Sequence, residues 1–174
     1  KEGMVDDGIL INPHVHACEK NSDHAWRNLC TVGLVFKLAH GLLKQLRGEN
    51  HPVAFRIKLR DHLDLVALGT IADLVPLTGE NRVIAKLGLE MLSRGPHKIG
   101  LRALLEVCGL TGKEIDSYHI GFVLAPRVNA AGRMSTPDIA ARLLLASSDG
   151  MAEEARQLAE QLNWKLPDVI LYPT

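Results

Sequence analysis

Ala67-Leu68-Gly69-Thr70-Ile71-Ala72-Asp73-Leu74-Val75-Pro76-Leu77, followed after Thr78 by Gly79-Glu80-Asn81-Arg82, sets one carboxylate inside an otherwise apolar run. An ionised Asp buried without a partner costs several kcal/mol, so such an acid finds a cation, several hydrogen-bond donors or a metal. The run therefore predicts Asp73 in apolar surroundings with a partner. Read from the residues alone, an ordinary alternative stays open, in which the Asp sits at a turn or helix start and bonds to nearby backbone.

Outward from this run the chain reads as an α/β beginning with an all-helical continuation. Gly8-Ile9-Leu10-Ile11, ending at Asn12-Pro13, has the form of a short buried strand stopped where proline removes a donor. From about Asn28 to Leu46, Leu29, Val32, Phe36, Ala39, Leu43 and Leu46 recur at helical spacing opposite Lys37, His40 and Lys44, and this helix closes near Gly48. Positions 55–68 fit neither period cleanly and are assigned to helix on the strength of Leu, Ala, Arg and Lys. His51-Pro52-Val53-Ala54-Phe55-Arg56-Ile57 matches no motif and reads as a short insertion.

Downstream, Val83, Ile84, Leu87, Met91 and Leu92 share one face of a helix that stops at Gly95-Pro96. A short helix over about 100–108 is closed by Gly109. Thr111-Gly112-Lys113-Glu114 has capping-box spacing and predicts a helix turning Ile115, His119, Phe122 and Val123 inward, which Pro126 ends or kinks. Thr136 and Pro137 suit the start of another helix that buries Ile139, Ala140, Leu143 and Leu144. Asp149 suits the cap of a last one, with Glu153 and Glu154 in its first turn.

Composition bounds the possibilities. With 174 residues, 47% of them hydrophobic but only 4% aromatic, one aliphatic core is the default. Lys plus Arg equals Asp plus Glu, so no global charge draws the chain to nucleic acid, and any such contact must be local. Cys18, Cys30 and Cys108 are odd in number and lack CxxC spacing, which points to buried thiols in a reducing compartment rather than disulfides or zinc. No apolar run is long enough to span a membrane, and no signal peptide opens the chain. Because residue 1 is Lys, the sequence is expected to be a piece of something longer.

A second stretch, Leu124-Ala125-Pro126-Arg127-Val128-Asn129-Ala130-Ala131-Gly132-Arg133-Met134, gives the first its meaning. Gly69-Thr70-Ile71-Ala72-Asp73 followed by Pro126 to Arg133 resembles the fourth motif and the PRxNAAGR segment of the RecJ-like exonucleases of the DHH phosphoesterase superfamily. Ile11-Asn12-Pro13, Leu29 to Leu38, Gly79 to Arg82 and Leu101 to Leu105 extend the likeness over nearly all of 8–163.

The resemblance implies a partial DHH-type domain: a short parallel-sheet portion, then a mainly helical region, over 1–147. Residues 148–174 would begin an interdomain linker helix and end in a divergent tail, broken at Asn163-Trp164-Lys165-Leu166-Pro167. It implies metal-assisted hydrolysis of single-stranded DNA from the 5′ end with Mn2+ or Mg2+, in cytoplasmic DNA repair and recombination, with repair or replication proteins as further partners. Asp73 corresponds to a catalytic metal ligand. The other ligands belong to upstream motifs, the DHH triplet among them, absent from this sequence, so the chain alone is expected to be inactive. Arg127, Asn129 and Arg133 correspond to a substrate-binding segment, in which guanidinium forks suit phosphate and an amide suits a phosphate oxygen or a carboxylate. As bare residues they serve equally well to cap a helix exit and bridge to acids of the same domain. Two other readings stand beside this one: a phosphoesterase acting on short oligonucleotides or cyclic dinucleotides, and a catalytically dead scaffold.

Asp61-His62-Leu63 imitates the triplet but lies in the wrong order, and reads as an exposed helix turn. His14, His16 and Cys18 read as a surface loop rather than a metal site. His119 reads as a hydrogen-bonded core histidine.

Overall fold

The computed structural model describes residues 11, 25–96, 98–133, 137–146 and 152–164. Among them every regular element is helical. The strand expected at 8–11 and the His14, His16 and Cys18 group lie outside the described residues, apart from Ile11, which is exposed and belongs to no element.

A 3-10 turn over Ala25–Asn28 leads into α1, Thr31–Gly48. Asn50, rather than a glycine, takes the left-handed position past the end of α1 (φ 55°), and His51 N–H closes back on the Leu46 carbonyl at 2.8 Å. The helix expected across 55–68 is broken. α2 spans Pro52–Arg56, Ile57 and Lys58 are extended, a 3-10 turn covers Leu59–His62, and α3 runs Leu63–Ala72. Arg47 accounts for the break, because its guanidinium donates to the Ala54 and Ile57 carbonyls, both at 3.1 Å, and so satisfies acceptors that a continuing helix would have used. Asp61 and His62 are exposed in the 3-10 turn, as expected of them.

α3 is the central rod. It buries Leu63, Val66, Ala67, Leu68, Thr70 and Ile71 around most of its circumference, since it lies between two clusters. On one side it meets Leu29 and Ile84; on the other Ala85, Leu92, Leu104, Ile120 and Leu124 continue the larger core. A helix wrapped on both sides has no single apolar stripe, which is why its sequence fits no period. α4, Gly79–Arg94, packs along it at close range: a Cβ on Gly88 would stand 2.2 Å from the Ala67 Cβ and 2.4 Å from the Leu63 carbonyl oxygen. Val83, expected inward, is exposed instead, because α4 turns toward α3 only the side that carries Ile84, Ala85, Gly88 and Leu92.

α5, Ile99–Val107, ends in a left-handed Gly109 (φ 65°), with Leu110 N–H on the Leu105 carbonyl at 2.8 Å. Thr111 to Lys113 form a turn, not the expected helix start, since Gly112 takes φ 73°. The cap lies further on, at Asp116, whose carboxylate accepts from His119 N–H at 3.0 Å. Pro126 does not end the helix that follows. A π-helical segment, His119–Leu124, runs directly into α6, Ala125–Arg133, so the PRVNAAGR segment is itself helical. Proline lacks the N–H for an ordinary helical bond and its ring crowds the carbonyl of residue 122, and widening the preceding turn relieves both. Phe122 is exposed in consequence of this register, not inward. α7, Pro137–Leu145, and α8, Ala152–Trp164, complete the described chain, and α8 packs on α5, α6 and α7 through Leu158 and Ala159. The capping residues expected for these two, Thr136 and Asp149, lie outside the described residues.

Candidate functional site

Asp73 occupies the C-cap of α3, its N–H donating to the Gly69 carbonyl at 3.0 Å. Leu74 then takes left-handed backbone, φ 55°, where glycine is usual. For a residue with a side chain that conformation costs about 1–2 kcal/mol. The Leu74 side chain, 85% exposed, offsets none of this by burial, so the strain lies directly beside Asp73, as backbone strain often does at functional sites.

Asp73 itself is exposed, which corrects the expectation of a buried acid. The apolar residues before it belong to the buried faces of α3, Leu74 and Leu77 after it are exposed, and the carboxylate falls one residue past that helix. The buried carboxylate is Asp64, fully enclosed at the start of α3. Lys98, just before α5, donates from Nζ to Asp64 Oδ1 at 2.6 Å and to the Asp61 carbonyl at 2.6 Å, and Leu65 N–H also donates to Oδ1. This ion pair ties α3 to the approach to α5.

Asp73 and Pro76 form one wall of a cavity of about 420 Å3, whose other wall carries Arg27, Asn28, Cys30 and Thr31. Two helix ends meet there. The carboxylate sits at the C-terminal, partially negative end of α3, which favours a cation. The N-terminal, partially positive end of α1 begins at Thr31, and no side chain of Cys30 caps it, so its first N–H groups suit an anion. Cys30 is buried and its thiol donates to Thr70 Oγ1 at 3.6 Å, holding the start of α1 to α3.

The mouth of this cavity is braced from α4. Asn81, 1% exposed, donates from Nδ2 to the Asn28 carbonyl at 2.7 Å and to the Pro76 carbonyl at 3.0 Å. Glu80 pairs with Lys37 of α1 at 2.7 Å. In the sequence Glu80 and Asn81 stand out only for their place in a motif, and their partners Lys37 and Asn28 lie too far along the chain for any local pattern to show.

Arg127 is half-buried on α6, with Nη1 donating to the Val123 carbonyl at 2.6 Å. It also stands near Cys108, where burial pushes the thiol above its ordinary value and the Arg127 charge opposes that rise. Asn129 is exposed. Neither lines the Asp73 cavity, although α6 does touch α3. Arg133 is the last residue of α6, and its side chain lies outside the described residues. His119, expected as a core histidine, is only half-buried and places Nδ1 2.6 Å from Asp116 Oδ1.

Among the described residues no cluster of three His, Cys, Asp or Glu side chains is placed to hold a metal ion. Asp73, a hard oxygen donor with open approach at a negative helix end, fits one ligand of Mn2+ or Mg2+. Such ions take about six ligands, so it fits one corner of a site and not the whole. No described helix is long and apolar enough to cross a membrane.

No family model matches the chain. It is 42% identical over 149 residues to the single-stranded-DNA-specific exonuclease RecJ of Bacillus subtilis, covering 86% of this chain and 17% of that protein. With RecJ of Salmonella typhimurium it shares 37% over 163 residues, 92% of this chain and 27% of that one. Among solved structures, exonuclease RecJ bound to manganese superposes with a TM-score of 0.54 at 40% identity, over 61% of this chain and 26% of that chain. RecJ from Thermus thermophilus in complex with Mn2+ gives 0.53 at 40% identity, over 61% and 15%. The chain thus spans about a quarter or less of the length of these relatives. Within that span, by sequence and by fold, the chain is similar to RecJ.

Proposed function

We propose that this chain supplies part of the catalytic domain of a metal-dependent exonuclease that hydrolyses phosphodiester bonds of single-stranded DNA from the 5′ end, in cytoplasmic DNA repair and recombination. The observation that carries the reading is the cavity in which Asp73, at the negative end of α3, faces the uncapped positive end of α1. A cation at the first and a phosphate at the second is the juxtaposition that metal-assisted phosphodiester hydrolysis requires. Mn2+ or Mg2+, when bound, would activate water and offset charge on the phosphate. Asp73 would hold one face of the ion, and the first N–H groups of α1 would receive phosphate oxygens. Arg127, Asn129 and Arg133 would contact the strand from α6, the helix that leans on α3. In this reading a short parallel-sheet portion includes 8–11, residues 1–147 form the later part of the DHH domain, and 148–174 begin a linker. Repair or replication proteins would be the further partners.

The test is Asp73→Asn in a complete protein that carries this chain, assayed on 5′-labelled single strands with Mn2+. Loss of more than about 100-fold in rate with an unchanged melting temperature is expected, since Asp73 is exposed and contributes little to packing. Equal activity in the two proteins would remove Asp73 as a metal ligand, whereas no activity in either would favour a scaffold. Cleavage confined to dinucleotides, with longer strands left intact, would favour the short-oligonucleotide reading.

A further inference from the structure

We propose that Asn81 is the positioning residue of the Asp73 cavity: it clamps the segment that follows Asp73 against the turn that precedes α1, and so sets where the carboxylate stands. The inference rests on the reading of Asp73 as a metal ligand and adds what places it.

The geometry carries the argument. One amide nitrogen has two hydrogens, and Asn81 directs both to carbonyls from separate walls of the cavity, Asn28 and Pro76. The turn between those walls and α3 contains the left-handed Leu74, a conformation that would relax unless something beyond it held the chain. Among the described residues, the side-chain hydrogen bond closest along the chain to Leu74 is the one from Asn81 to the Pro76 carbonyl. Meanwhile the Asn81 Oδ1 atom is buried with no hydrogen-bond partner among the described residues. A side chain kept only to fill space would be apolar there, because a buried, unpaired acceptor lowers stability. Asn81 therefore remains for its two donors. Rotating the amide would set an oxygen against two carbonyl oxygens, so only this orientation serves. Gly79, at φ 51°, lets the chain enter α4 at the angle that brings Asn81 under both walls.

The consequence is that loss of the donors should act on Asp73 without a general loosening of the core. Partners that orient a metal ligand without touching the metal are typically worth about 10- to 100-fold in affinity. Three variants of the full chain separate this role from mere packing: Asn81→Leu, which keeps approximate volume and removes the donors; Leu92→Ala, a core truncation at the far end of α4; and Asp73→Asn. Two readouts are taken on each by NMR, amide hydrogen exchange and the Mn2+ concentration that half-broadens the signals of Asp73 and its cavity neighbours.

In Asn81→Leu, exchange at 73–78 should rise about 10-fold or more while α5 and α8 stay protected, and the half-broadening concentration should rise about 10- to 100-fold. Leu92→Ala should raise exchange broadly and leave Mn2+ broadening at Asp73 unchanged. If Asn81→Leu only mimics Leu92→Ala, Asn81 is a packing residue and the inference falls. If the 73–78 segment loosens yet Mn2+ broadening is unmoved, the clamp does not place the carboxylate, and the inference falls while Asp73 keeps its role. If wild type and Asp73→Asn broaden alike, Asp73 is no ligand, and both readings fall together.

Discussion

At the scale of single residues, the most consequential group is one that carries no proposed chemistry. Asp64 has zero exposure and a lysine partner 34 positions away, itself nearly buried at 12% side-chain exposure. Removing one member strands the other charge, so Asp64→Ala or Lys98→Met should each cost about 3–5 kcal/mol in denaturant melts. Asp64→Leu combined with Lys98→Met should cost far less than the sum, because no charge is left uncompensated. Additive losses would show that the two do not act as a pair. Asp116 makes a different demand. The His119 backbone N–H holds its carboxyl below the ordinary carboxylate range. A lowered folded-state value contributes stability above the unfolded value, and that contribution is lost as pH falls through the folded one. Below about pH 4, therefore, the start of the π segment should loosen, read as faster exchange at His119 and Ile120 before global unfolding. The cost of burying a charge falls on Asp64 and not on Asp73. Leu63-Asp64-Leu65-Val66 is equally apolar, but its cation lies beyond a whole helix, and no local pattern reaches that far.

At the scale of elements, most boundaries were legible wherever they rest on local chemistry. Gly95, Gly109 and Pro137 mark helix ends where turns are found or helices begin. The failures have two causes: Arg47, a side chain from elsewhere, ends α2 by reaching across ten residues to Ile57, whereas the π turn absorbs Pro126 and the left-handed Gly112 makes a turn through backbone adjustments that the local sequence does not announce. Helix approach follows the same logic. Gly88 is the point where α4 meets α3, and Gly88→Ala should destabilise by at least about 1–3 kcal/mol because the new Cβ meets both a methyl and a backbone oxygen. Gly41, within α1, has nothing within 4 Å of an added Cβ. Gly41→Ala should therefore stabilise by about 1 kcal/mol through helix propensity alone. Thermal melts of the pair check the assignment: equal effects would mean that α3 and α4 are not in the contact described.

At the scale of the whole molecule, the described helices leave apolar surface uncovered in two places. On α1, Val35, Leu38 and Leu42 are each more than half exposed at spacings of one and two turns, so this helix has a second apolar stripe beside the one that packs on α3. Phe36, Leu63, Val83 and Leu87 line an open apolar cavity of about 520 Å3 between α1 and α4. The stripe is not legible in the sequence, because Leu and Val at those positions also satisfy an ordinary amphipathic pattern. Contiguous apolar surface of this kind drives association, whereas scattered exposed leucines do not. The chain should therefore self-associate as its concentration rises, with the apparent mass in sedimentation increasing across the micromolar range. Because the attraction is hydrophobic and the net charge is zero, added salt should not disperse it. Replacing Val35, Leu38 and Leu42 together by Glu, Lys and Gln should restore a concentration-independent mass while leaving helical content intact, since none of the three is buried. Persistence of association in that variant would move the sticky surface to the other exposed apolar group, Leu74, Tyr118 and Phe122, beside the turn that carries Asp73.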